Sequence, residues 1–151
     1  MAAAFVLQHL LNIPAQLSAF AALSGPWAID LGSLDDARIS CDLAPGLYPY
    51  RLGFLSVIAA DVELDARIED ARTAYVTLGR TIAEGYPSPV KMSSQQRLGM
   101  VEDLWEMALR EARAGVGAQV GPAVERRSCC FIYALPGCHE CAGCPRTPAA
   151  D

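Results

Sequence analysis

Positive charge is scarce in this chain, and lysine is all but missing. Of 12 basic residues among 151, only Lys91 is a lysine, and the other 11 are arginines. Set against 17 acidic residues they leave a formal charge of −5, which argues against a surface built for nucleic acid or anionic lipid. An arginine-based set suits two-pronged contacts with anions. Histidine is equally thin, with His9 and His139 alone, and no nucleophile–His–Asp constellation is present. A glycine-rich nucleotide motif, an internal repeat and a low-complexity segment are also absent, so a nicotinamide or flavin donor belongs to another protein. Charged residues make up 19% and apolar residues 52%, which excludes disorder over most of the length. A chain of this size forms one domain and buries roughly two-thirds of its unfolded surface.

Long apolar runs are limited to residues 2–23, and that run is impure. Gln8, His9, Asn12, Gln16 and Ser18 interrupt it, Pro14 sits inside it, and no basic residue precedes it. A secretory signal starts with positive charge, and a membrane span needs about 20 predominantly apolar residues. The run is therefore read as two short buried helices, the second capped by Asn12 with Pro14 in its first turn and ending near Leu23. The chain is expected to be cytoplasmic, at most peripheral at the inner membrane, with no transmembrane segment.

Gly25-Pro26 closes that region. Trp27–Leu31, Arg38–Cys41 and Leu52–Ile58 read as short strands around a loop from Asp42 to Tyr50 that holds Pro45, Gly46 and Pro49. Leu64, Ile68, Ala71, Tyr75, Leu78 and Ile82 recur at helical spacing, with Asp61 as cap and Gly85 as stop. After Pro87 and Pro89, Ser93-x-x-Gln96 has capping-box spacing. It leads into Leu98, Val101, Trp105, Ala108 and Ala112, a stripe widened by Met100, Leu104, Met107 and Leu109. These two helices are expected to pack antiparallel. Trp105, Tyr75 and His9 read as core residues, Cys41 as a small buried hydrophobe, and Asp35-Asp36 and the acidic positions of 61–70 as solvated faces or caps. The fold class is predominantly α with a few short strands (α+β): a helix-rich body over 1–125, a cysteine-rich segment over 126–146 and a tail over 147–151.

Five of the six cysteines, Cys129, Cys130, Cys138, Cys141 and Cys144, crowd into that segment. A disulfide framework would spread them through a small secreted chain, so clustered thiols point to metal or redox chemistry. The pattern is C-C-x10-C-x2-C with Cys138 additional. Thiolates held together repel unless a cation shares their charge, and an all-sulfur site selects zinc or an iron–sulfur centre. Adjacent side chains diverge in extended backbone, which suits one zinc ion poorly. A [2Fe–2S] cluster, with wider-set terminal sulfurs, is favoured. Zinc and a vicinal disulfide are the alternatives. A [4Fe–4S] cluster is another, because Cys138-x2-Cys141-x2-Cys144-Pro145 resembles the opening of a ferredoxin run whose last cysteine is replaced by Pro148. Cys138 and His139 are read as neighbours of the site, not as ligands.

Arg126-Arg127-Ser128-Cys129-Cys130 followed by Cys141-x2-Cys144 closely resembles the C-terminal motif of FhuF-type ferric siderophore reductases. The resemblance implies a [2Fe–2S] cluster on Cys129, Cys130, Cys141 and Cys144. It also implies one-electron reduction of Fe(III) in hydroxamate siderophores, with electrons from a separate ferredoxin or flavin reductase. A ferredoxin-like carrier and a zinc-stabilised interaction module are the competing functions. Arg126, Arg127 and Arg146 flank the ligands and would stabilise a reduced cluster; Ser128 and the amides near Gly137 and Gly143 could donate to sulfur.

Overall fold

Residues 2–32, 40–43, 49–53, 57–141 and 143–147 are described in the computed structural model. Three long helices carry the body: α1 (Ala2–Ser24), α2 (Leu64–Gly85) and α3 (Ser94–Gly115). The 2–23 region is one helix instead of two, with Pro14 inside it. An interior proline costs about 3 kcal/mol. Here the stripe of Leu7, Leu11, Ala15, Ala19 and Ala22 passes through Pro14 unbroken and is fully buried. Burying each leucine contributes about 1.5–3 kcal/mol, so packing keeps the helix whole. By length and composition alone α1 could cross a membrane, yet its inner stripe is the wall that α2 and α3 pack against. His9 is exposed on α1, its ring edge-on to Phe5 at 4.4 Å, and is not a core residue.

α2 and α3 run antiparallel, as their contacts show in order: Arg72 with Glu102, Tyr75 with Val101, and the Arg97 guanidinium with the carbonyls of Ala83 and Tyr86. Tyr75 and Trp105 stack at 5.7 Å in the core, and the Tyr75 hydroxyl donates to the Val101 carbonyl at 3.1 Å. Gly79 permits this close approach, because a Cβ there would lie 2.9 Å from Val101 Cγ1. The expected α2 stripe is buried at Ala71, Tyr75 and Leu78, while Ile68 and Ile82 are half-buried and Leu64 is exposed at the helix start. Asp61 is not the cap; Glu63 holds that position without a side-chain bond. Its exposed acidic neighbours are solvated as expected. Ser93 does cap α3, accepting from the Gln96 amide at 3.1 Å.

Among the described residues, four short strands, β1 (Trp27–Ile29), β2 (Ser40–Leu43), β3 (Pro49–Gly53) and β4 (Val57–Ala59), form two antiparallel ribbons. β1 pairs with β4, Trp27 opposite Ala59, and β2 pairs with β3, Cys41 opposite Leu52, with an irregularity between Asp42 and Leu43. The expected Leu52–Ile58 strand is thus split between two ribbons, and the expected 42–50 loop yields residues to both β2 and β3. Asp42 pairs with Arg51 and Leu43 with Pro49, so these residues are placed by a partner strand, information that local composition lacks. The Cys41 side chain, Asp35-Asp36, Arg38, Pro45, Gly46 and the tail beyond Thr147 lie outside the described residues.

Candidate metal centre

The chain leaves α3 at Gly115 and returns to lie along that helix before the first cysteine. Three α3 positions spaced by three and four residues receive it: Gln96, Gly99 and Asp103. The Gln96 side-chain amide donates to the Cys129 carbonyl at 2.9 Å. A Cβ at Gly99 would make ordinary contact with Ser128 Cβ at 3.6 Å. Asp103, 1% exposed, accepts the Arg127 amide at 3.0 Å on both oxygens. Its Oδ2 also takes the Ser128 amide at 2.8 Å and the Ser128 hydroxyl at 2.6 Å. Residues 127–129 are therefore fixed antiparallel to the first half of α3. Ser128 spends its one hydroxyl proton on Asp103 and not on a sulfur.

Directly after the paired cysteines the backbone reverses. Phe131 has φ 58°, the left-handed region that a bulky residue rarely occupies. Its amide turns back to Cys129 Sγ at 3.4 Å, and its ring packs against the core. A 3-10 turn, Ile132–Ala134, follows. The second cysteine pair sits on a turn in which the Cys144 amide donates to the Cys141 carbonyl at 3.1 Å. Gly143 has φ 67° inside that turn, and a Cβ there would meet the Val124 carbonyl at 3.0 Å.

These turns bring together the sulfurs of Cys129, Cys130, Cys141 and Cys144. Cys130 Sγ and Cys141 Sγ are 3.8 Å apart, and Cys129 interacts with Cys144. Burial pushes the Cys141 thiol up to about 11; the Arg126 guanidinium works against that rise, and Cys130 and Cys144 add to it. Cys129 is also raised, by burial first, against the lowering effect of the Phe131 amide and with Cys144 and Cys130 adding to the rise. Among the described residues, no three His, Cys, Asp or Glu side chains surround a single point as ligands of one ion.

Arg126 is the cation of the site. It is 5% exposed, and its guanidinium donates to Cys141 Sγ at 3.0 Å and to Gln8 Oε1 on α1 at 2.9 Å. Its Nε has no partner, a buried donor left over on the residue that faces the thiols. Arg127 points its side chain to solvent and serves through its amide. Arg146 lies over the Tyr133 ring at 4.7 Å and pins the end of the segment by a cation–π contact. Cys138 is not one of the interacting sulfurs: its amide donates to the Leu135 carbonyl, and His139 beside it is exposed. A cavity of about 850 Å³ is lined by α1, α2, β1 and β4 residues such as Ser18, Ile29, Arg67 and Thr77. It contains no residue of the cysteine segment.

Residues 126–146 match the family model of the FhuF 2Fe-2S C-terminal domain. The match covers the cysteine-rich segment with Arg126, Arg127 and Arg146, and residues 1–125 lie outside it. No curated protein and no solved structure matches the chain. The residues present fit the cluster that the family description names. Four thiols interact with one another, and the raised thiols need a cation to share their charge as thiolates, which is the donor chemistry of an all-sulfur iron–sulfur site. Asp103, Gln8 and Phe131 escape a reading of the motif. The one local signal for Asp103 was a carboxylate at helical spacing between Met100 and Met107, inside an apolar stripe.

Proposed function

We propose that this chain is an iron–sulfur redox protein that reduces Fe(III) in hydroxamate-type siderophores and so releases Fe(II). The observation that carries the reading is the FhuF-type segment, with four converging thiols and a buried arginine bonded to one of them. A [2Fe–2S] cluster held by Cys129, Cys130, Cys141 and Cys144 supplies a one-electron couple. Arg126 places positive charge against a set of sulfurs whose negative charge grows on reduction, which favours the reduced state. The Phe131 amide at Cys129 acts in the same sense. Hard oxygen ligands hold Fe(III) far more tightly than Fe(II), so transfer of one electron is enough to free the metal, and no acid–base residue is required.

The electron donor in this reading is a separate ferredoxin or flavin reductase. The chain works in the cytoplasm, without nucleic acid, or peripherally at the inner membrane. Anaerobic purification with iron, sulfide and zinc analysis tests the cluster. Reoxidation of the dithionite-reduced protein by a ferric hydroxamate, followed by loss of the reduced EPR signal and capture of Fe(II), tests the reductase. A reduced protein that is stable in excess ferric hydroxamate would be a carrier and not a reductase.

A further inference from the structure

Asp103 carries an inference beyond the motif. A buried carboxylate costs several kcal/mol unless its oxygens are bonded. Every hydrogen bond it accepts comes from the two residues before Cys129: the Arg127 amide, the Ser128 amide and the Ser128 hydroxyl. The satisfaction of a buried charge on α3 therefore depends on the cysteine segment being docked, and the segment's position depends on that charge. Gln96 adds a second tether one step further on, at the Cys129 carbonyl.

We propose that Asp103 is a positioning residue that presets the Cys129-Cys130 segment in the metal-free chain. The segment is held in its ligand-presenting conformation before a cluster is assembled. The proposal takes the cluster reading only for what the preset segment is for; the presetting itself is a property of the protein alone. Cys130 is the natural reporter, because it is 1% exposed and reacts with an alkylating agent only when the segment opens. Half-buried Cys138, off the anchored stretch, is the internal standard.

The experiment is timed alkylation of the reduced, metal-free full chain with iodoacetamide, read at each cysteine by peptide mass spectrometry. Asp103→Asn keeps the size but loses the charge and one acceptor. It should raise the Cys130-to-Cys138 rate ratio about tenfold, the order expected from losing bonds to a buried charge. Ser128→Ala, which removes one donor from the segment side, should raise it less. Val101→Ala, which loosens the α2–α3 core without touching the segment, should lower the melting temperature and leave the ratio unchanged. An unchanged ratio in Asp103→Asn, or an equal rise in Val101→Ala, overturns the proposal. A wild-type protein that takes up no iron or sulfide would sink the cluster reading and leave the alkylation result standing on its own.

Discussion

Five side chains decide the chemistry of the C-terminus, and Arg126 differs from the four thiols in being a charge the fold chose to bury. Its guanidinium bonds Cys141 Sγ, while Arg127, two positions from the first cysteine, faces water. Neutralising Arg126 to Gln should lower the reduction potential by tens of millivolts. A shift of ~60 mV for one electron corresponds to about 1.4 kcal/mol. Arg127→Gln should leave the potential near wild type, because its exposed charge is screened by salt and water. Redox titration of both variants at low ionic strength checks the contrast, and equal shifts would remove the special role of Arg126. For ligation, Cys129→Ser, Cys130→Ser, Cys141→Ser and Cys144→Ser should each abolish or strongly alter the visible and EPR spectra, whereas Cys138→Ser should retain them. Loss of the spectrum in Cys138→Ser, with Cys129→Ser unaffected, would reassign the ligands.

At the scale of elements, α3 does two jobs with two faces. One face holds Val101, Trp105 and Ala108 against α1 and α2. The other presents Gln96, Gly99 and Asp103 to the returning chain. The capping-box glutamine illustrates the division: Ser93 takes the Gln96 amide, but the Gln96 side chain reaches to Cys129 instead of back to Ser93. The α2–α3 contact depends on Gly79, so Gly79→Leu should drive the helices apart. The overpacking should cost about 1–3 kcal/mol or more, read as a fall in the midpoint of urea unfolding. A midpoint at or above wild type would show that Val101 yields without cost.

For the molecule as a whole, the body and the cysteine segment are joined by buried polar bonds from two different helices, Gln8 on α1 to Arg126 and Asp103 on α3 to residues 127–128. Damage to the body should therefore reach the site. Leu104 on α3 is 1% exposed and part of the core cluster. Leu104→Asp buries an unpaired charge and should unfold the domain, with cluster incorporation lost alongside the helical circular dichroism signal. A melting temperature unchanged by this substitution would show that the packing face has been misassigned. Retained cluster binding in an unfolded body would show that residues 126–146 act alone.

The amino-acid sequence by itself determined the helical stripes of α2 and α3, the cap at Ser93, the stop at Gly85 and the four-cysteine pattern. Each of these is a local regularity, written in spacings of three and four or in the identity of a few neighbouring residues. Tertiary structure decided the rest. Pro14 reads as a break until Leu7 and Leu11 on one side and Ala15 and Ala19 on the other are seen to share one buried wall. Ribbon pairing in 27–59 depends on partners up to 32 positions apart, as for Trp27 and Ala59. Asp103 looks like a surface acid inside an apolar stripe until the chain returns, 24 residues later, with the amide and hydroxyl donors that make its burial tolerable. A carboxylate is placed by its hydrogen-bond donors, and donors distant in sequence are known only once the chain has folded back on itself.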